Sequence, residues 1–516
     1  MKRKILLCFL LSHLSVYLFS QPKTSGNRKP NKPNIVYIFA DDLGYGDLGC
    51  YGQAKIETPN IDALAKNGMM FTQHYAFPVC APSRYLLLTG KNSGHAYIRD
   101  NNEWAERGDI WSYQAMEANP VLEGQLPIPD STITIAKVLK KAGYSTALVG
   151  KWGLGAPMTA GLPNNQGFDY FYGFICQRED HTYYPAHIWE NTFRVPLNNK
   201  VIDPRSKFPS NLDSLDPKNY AHYQQKDYVS KFLINAALRF LETNRDKPFF
   251  LYYASPLPHV SLQAPQKWVD YYHKKFGEEK PFLGGSYFPC RYPRATYAAM
   301  VSTLDEEVGA IVKKLKEMGE YENTIIMFCS DNGPTYNGGS DSPWFSSGGP
   351  FKSEEGWGKG FLHEGGIREP LIVQWPGKIK PGSKSNLISA TWDVMPTLCG
   401  IIGVKPPENI DGISFLPSLL DKPQQQKKHD YLYWEFPAPA YGGQQAVRMG
   451  KWKGLRMGIL KGNMKIQLFN LEEDPQEQHD IGDQHPEIVA KIIAVMKKEH
   501  TTPEVDAFRM KALDGN

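Results

Sequence analysis

The run Asn34-Ile35-Val36-Tyr37-Ile38-Phe39-Ala40 sets the tightest limit on how this chain can fold. β-Formers with no polar alternation fit a strand covered on both faces, as in parallel sheets flanked by helices. The run stops at Asp41-Asp42-Leu43-Gly44, and helix and strand patterns then take turns. A short helix is expected over 61–67, with Asp62 in its first turn and Gly68 after its end. Another over 133–141, closed by Gly143, feeds a strand at 145–149. The same order returns at 228–243 with 248–253, and at 297–318 with 324–328. In the last of these helices Val301, Leu304, Val308, Ile311 and Leu315 make one apolar face. Such alternation predicts an α/β fold with a mainly parallel sheet between helices.

The texture changes after Pro423. A polar connector, Gln424-Gln425-Gln426-Lys427-Lys428, precedes short strand candidates at 431–436, 445–449, 453–457 and 465–469, then a helix over 486–499. A small antiparallel sheet packed on the main domain is expected, which divides the chain into 34–425 and 426–516. A length of 516 residues accommodates both. Lys2, Arg3 and Lys4 followed by an apolar stretch read as a secretory signal over 1–20, with a solvated linker over 21–33. Export to the periplasm or outside the cell follows. Removing the signal takes the net charge from +4 to +1, which argues against a nucleic-acid partner. No second long apolar segment appears, so no membrane span is expected in the mature chain. Six cysteines remain, Cys50, Cys80, Cys176, Cys290, Cys329 and Cys399. None stands in a C-x-x-C pair, which disfavours a zinc cluster.

One of them sits in an unusual tract, Cys80-Ala81-Pro82-Ser83-Arg84-Tyr85-Leu86-Leu87-Leu88-Thr89-Gly90-Lys91. Pro82 fits a first helical turn and Gly90 a stop, which puts Cys80 just ahead of a helix N-terminus, where anions are favoured. Arg84 falls one turn on. A lone cysteine is often simply core, and one at a helix start can be an activated thiolate. Neither reading accounts for Pro, Ser, Arg and the Leu-Thr-Gly tail together.

Asp41-Asp42 and Asp331-Asn332-Gly333 both follow apolar strands, and in open α/β sheets the functional crevice lies at such carboxyl ends. Either cluster alone would read as a turn. Together, three carboxylates and an amide oxygen are hard ligands suited to Ca²⁺ or Mg²⁺.

The Cys80 tract resembles the type I sulfatase signature, C-x-P-S-R-x-x-x-L-T-G-[KR], at every fixed position. The resemblance implies an alkaline-phosphatase-like three-layer sandwich with a mostly parallel mixed central sheet and a smaller C-terminal α+β subdomain. It implies a sulfuric ester hydrolase in which Cys80 is converted by a maturation enzyme to formylglycine. It also implies a Ca²⁺ held by Asp41, Asp42, Asp331, Asn332 and the modified Cys80. Gly150-Lys151-Trp152-Gly153-Leu154-Gly155 resembles the family's G-K-W-H-L-G, with Lys151 on the sulfate but Gly153 where a histidine is expected. His181, in a segment similar to H-x-Y-Y-P, is the candidate replacement imidazole. Pro258-His259 resembles the P-H motif and makes His259 the proton donor to the leaving sugar oxygen. Lys359, five residues before Glu364-Gly365-Gly366-Ile367-Arg368-Glu369-Pro370, holds the spacing of a second sulfate-binding lysine. Hydrated formylglycine would attack sulfur while the metal, Lys151, Lys359 and Arg84 stabilise charge on the sulfate oxygens.

Aromatic and polar loops suit a sulfated oligosaccharide or polysaccharide, with His95, Arg99, Arg178 and Trp344 as candidate sugar contacts. Two other readings stay open: a phosphonate or phosphate ester hydrolase of the same superfamily, and an inactive glycan-binding homologue, motivated by Gly153.

Overall fold

The computed structural model describes residues 32–515. The signal read at 1–20 and the linker, up to residue 31, lie outside the described residues. Among the described residues eleven strands form one sheet. They are β1 (Asn34–Ala40), β2 (Met69–Tyr75), β3 (Ser145–Lys151), β4 (Tyr170–Phe174), β5 (His187–Glu190), β6 (Phe193–Pro196), β7 (Phe249–Ala254), β8 (Thr324–Ser330), β9 (Arg368–Gln374), β10 (Ser383–Ser385) and β11 (Ser389–Ala390). Their order is β10-β2-β9-β8-β1-β7-β3-β4-β5-β6, with β11 beside β2.

The unbroken apolar run of β1 follows from its central place. Every residue of β1 is buried, and the two-residue period of a strand sorts them. Ile35, Tyr37 and Phe39 enter one core with Leu86, Leu139 and Leu398. Val36, Ile38 and Ala40 enter the other with Leu64, Leu233 and Leu304. Helices therefore cover both faces, which gives three layers. Each of the larger apolar side chains, fully buried, is worth about 1.5–3 kcal/mol, so little could replace this strand. The sheet is parallel through β8-β1-β7-β3-β4 and antiparallel where β9 joins β8 and β2 and where β5 and β6 follow β4.

Strands β12 (Leu432–Phe436), β13 (Gln444–Met449), β14 (Trp452–Met457) and β15 (Gln467–Asn470) form a separate antiparallel sheet. Its two faces bury against different things. Tyr433, Val447 and Leu468 meet Ile492 and Met496 of the Pro486–Glu499 helix. Trp434 and Phe436 instead point into the main core, their rings 5.5 Å from Tyr75 and 5.4 Å from Phe77. No helix among the described residues is long and apolar enough to cross a membrane.

Candidate active site

Register brings the sequence motifs together. Ala40 of β1 pairs with Ser330 of β8, and Gly150 of β3 with Ala254 of β7. The residues that follow these strands, Asp41-Asp42, Asp331-Asn332 and His259, and Lys151 at the end of β3, therefore share one edge of the sheet. The Asp42 N–H donates to Asp331 Oδ1 at 3.1 Å, locking the two acidic turns.

The helix Cys80–Thr89 points its N-terminal end at this edge. Cys80 is its first residue, not a residue ahead of it, and Gly90 ends it in a left-handed conformation (φ 73°). The Cys80 thiol donates to Asp41 Oδ1 at 3.3 Å. Lys151 Nζ and Lys359 Nζ each lie 3.7 Å from Sγ. Arg84 bridges Asp41 and Asp331 at 3.1 and 2.8 Å. Lys151 also pairs with Asp41 at 2.5 Å and Asp180 at 3.1 Å, and Lys359 with Asp42 at 2.6 Å.

Apart from Lys359, whose side chain is 13% exposed, these groups are almost wholly buried, so their protonation is set by one another. Burial would raise the Asp41 carboxyl, but Lys151, His259, Arg84 and Lys359 outweigh it and hold the group well below the usual range. Burial and the Asp41 charge push Asp331 up to about 7, against Arg84. Burial, then Asp41, drive the Cys80 thiol well above its ordinary value despite both lysines. That disfavours an activated thiolate. Burial, then Lys359 and Lys151, hold His259 well below the ordinary imidazole range.

Four carboxylates (Asp41, Asp42, Asp180, Asp331) face three cations (Arg84, Lys151, Lys359), so with every group ionised the cluster carries one negative charge in excess, and protonation of Asp331 cancels it. The Asn332 amide donates to Asp42 Oδ1 at 2.8 Å, while its Oδ1 is buried with no partner. An orphaned amide oxygen beside converging carboxylates is what a hard divalent cation would satisfy. Atoms of Asp41, Asp42, Cys80 and His259 lie within 4.8 Å of one another.

His181 stacks on His259, rings 5.4 Å apart and 11° from parallel. Its neighbour Asp180 reaches Lys151, and Tyr287 packs edge-on to His181 at 5.2 Å. Sequence reasoning passed over Asp180 and Tyr287. The first adjoins His181 and could have been suspected; the second sits in a loop without a signature. At position 153 the backbone is left-handed (φ 76°) and a Cβ would come 2.3 Å from Gln177 Nε2. The space a histidine would take is filled by Gln177.

The four candidate sugar contacts are already engaged by protein groups. Arg99 spends its donors on Glu435, Thr501 and the carbonyls of Gly94 and Ala96. His95 pairs with Asp411 at 2.9 Å. Arg178 binds Glu103 and the Leu122 and Gly124 carbonyls. Trp344 packs on Phe276 and Phe345 beneath Lys55 and Arg294. Each is held by protein partners, which leaves Arg99 in particular no donor for a ligand.

The loop bearing Lys359 is fixed from behind. Glu364, fully buried, pairs with Arg368 and with Lys453 of β14, both at 3.0 Å, and Lys453 continues to Glu477 at 2.9 Å. Gly365 admits no side chain, since a Cβ would fall 1.8 Å from the Lys352 carbonyl oxygen.

The family model described as Sulfatase matches residues 33–404, and one described as N-sulphoglucosamine sulphohydrolase, C-terminal, matches 353–504. Arylsulfatase A of Homo sapiens is 32% identical, over 82% of this chain and 74% of its own. N-acetylgalactosamine-6-O-sulfatase of Bacteroides thetaiotaomicron is 29% identical, over 91% and 93%. The crystal structure of Ps i-CgsB in complex with k-i-k-neocarrahexaose superposes with a TM-score of 0.70 at 28% identity, covering 92% of this chain and 94% of that one. The chain belongs to the sulfatase family.

Proposed function

We propose that this sulfatase removes sulfate from sugars, using formylglycine made from Cys80 and a calcium ion held by Asp41, Asp42, Asp331 and Asn332. The observation that carries the reading is the convergence on Cys80 Sγ of Asp41 at 3.3 Å and of two lysine ammoniums at 3.7 Å. Oxygen donors of this kind support Ca²⁺ over softer metals. A divalent cation makes the cluster net positive even with every carboxylate ionised, which suits an anionic ester. Relatives named for N-acetylgalactosamine 6-sulfate support an amino sugar as the first substrate to try.

When present, formylglycine supplies the nucleophile for sulfur and the cation supplies charge at the sulfate oxygens. The chain's own residues do the rest. Lys151 and Lys359 flank the reacting atom and bind the non-bridging sulfate oxygens, where negative charge grows. Arg84 fixes Asp41 and Asp331. His259 is neutral in the free site; the arriving anion favours its protonated form, and Nε2 then gives that proton to the leaving sugar oxygen. His181 holds the His259 ring by stacking, and Asp180 restrains Lys151. Residues 34–425 carry the chemistry, and 426–516 buttress the Lys359 loop through Lys453.

The whole helix Cys80–Thr89 is buried, so in this reading the maturation enzyme meets it before the chain folds. The signal read at 1–20 supports work outside the cytoplasm. The test is a panel of sulfated monosaccharides and carrageenan oligosaccharides, with aryl sulfate, phosphate and phosphonate esters as controls, followed by release of the anion. Sulfated sugars, N-acetylgalactosamine 6-sulfate among them, are expected to turn over fastest. Faster phosphate or phosphonate hydrolysis, or sugar binding without sulfate release, would reject the reading.

A further inference from the structure

A second cluster of ligand-type atoms lies apart from Cys80. His187, which opens β5, meets Glu123 after the turn Pro120–Leu122 and Glu179 of the turn Glu179–His181, all within 4.8 Å. Glu123 is fully buried, and His187 and Glu179 are 5% and 9% exposed. His187 Nδ1 lies 2.7 Å from Glu117 Oε2, which accepts its proton. With that proton on Nδ1, the neutral ring turns its Nε2 lone pair inward. Nε2 lies 3.3 Å from Glu123 Oε1 and 3.3 Å from Glu179 Oε1, yet makes no hydrogen bond to either.

A buried, unpartnered imidazole nitrogen aimed at two carboxylates is costly unless something sits between them. The spacing says what fits. Ligands about 2.0–2.2 Å from a tetrahedral zinc stand about 3.3–3.6 Å from one another, which is the separation of Nε2 from each of the two carboxylate oxygens. The carboxylate bound to the other ring nitrogen is the usual companion of a metal-bound histidine. Glu123 is held in place by Trp189 Nε1, 2.6 Å from Oε2, and by Arg194 on Oε1, an oxygen that keeps a second lone pair. A cavity of about 30 Å³ beside Glu117, Glu179 and His187 has room for a water as fourth ligand.

We propose that His187, Glu123 and Glu179 form a second metal site, for a zinc-class divalent cation, with Glu117 orienting the histidine. One imidazole with two carboxylates suits Zn²⁺ better than the all-oxygen preference of Ca²⁺. The ion ties three separate segments together. One of them continues directly into Asp180 and His181, so the site stiffens the loop that contacts Lys151 and His259. The site stands independently of the chemistry at Cys80.

Full-length protein is stripped with a chelator, returned to calcium and titrated with Zn²⁺, while bound zinc is counted by elemental analysis and Tm is followed. The wild type is expected to take up one tight zinc per chain and to gain Tm. His187→Asn and Glu179→Gln should abolish that uptake and the zinc-dependent gain. Glu117→Ala should weaken zinc affinity 10–100-fold. The double variant Asp42→Asn/Asp331→Asn, altered only in the oxygen cluster, should keep the zinc. No zinc uptake by the wild type, undiminished uptake by His187→Asn and Glu179→Gln, or loss of uptake in the double variant would overturn the proposal.

Discussion

His259 illustrates how single residues divide the work. Its imidazole is kept neutral by burial and by Lys359 and Lys151, and its Nε2 lies 3.6 Å from Asp42. A proton donor matters most when the leaving group is a poor one. His259→Ala should therefore lower kcat on a sugar sulfate about 10²–10⁴-fold, while p-nitrophenyl sulfate, whose phenolate leaves unaided, should lose far less. Equal losses on both, measured side by side, would show that His259 only holds the site together. At this scale the motifs were legible because they carry chemistry in fixed spacings: Cys80, Arg84, Lys151 and Lys359 converge from segments far apart in the chain. The protein partners of His95, Arg99, Arg178 and Trp344 were not legible, because an arginine or tryptophan in a polar loop looks the same whether it meets a sugar or a buried glutamate. Only the fold decides, as Glu435 does for Arg99.

Elements buried on both faces declared themselves, and those with mixed surroundings did not. β1 and β8 read as unbroken apolar runs because helices cover both their sides. β2 carries Thr72-Gln73-His74 in its middle, interrupted by a register shift between Phe71 and His74, and gave no such signal. β9 follows a glycine-rich turn that read as motif. The small sheet was visible from its short strands, but its coupling to the Lys359 loop was not. That coupling is the buried lysine of β14 between two glutamates of different segments. Lys453→Met would leave Glu364 and Glu477 facing one another without their shared cation. The expected loss is about 3–5 kcal/mol, read as a fall in Tm, together with weaker sulfate binding as the Lys359 loop loosens. An unchanged Tm would mean that Arg368, together with Arg448 of β13 at 3.8 Å from Glu364, suffices.

At the scale of the whole molecule, buried carboxylates make stability depend on pH. Glu307, inside the Pro293–Glu317 helix and bonded by Ser230 and Ser255, is pushed by burial from 4.5 up to about 7. Below pH 4.5 the folded and unfolded chains both hold its proton. Between 4.5 and 7 only the folded chain does, so stability falls as pH rises through that window, by about 3 kcal/mol from this group. Glu307→Gln should remove the fall and raise Tm above pH 7, with little change near pH 4.5; a Tm lowered equally at both would contradict the assignment. The same packing that imposes this cost aligns the ends of β1, β3, β7 and β8, so that acids, lysines and one helix start share a single small space. The measurement that tests this most directly is the rate of sulfate release from a sulfated sugar set against the fraction of Cys80 converted to formylglycine, quantified by peptide mass spectrometry across preparations. The rate should rise in proportion to the converted fraction and vanish in Cys80→Ala; a rate indifferent to conversion, or surviving that substitution, would contradict it.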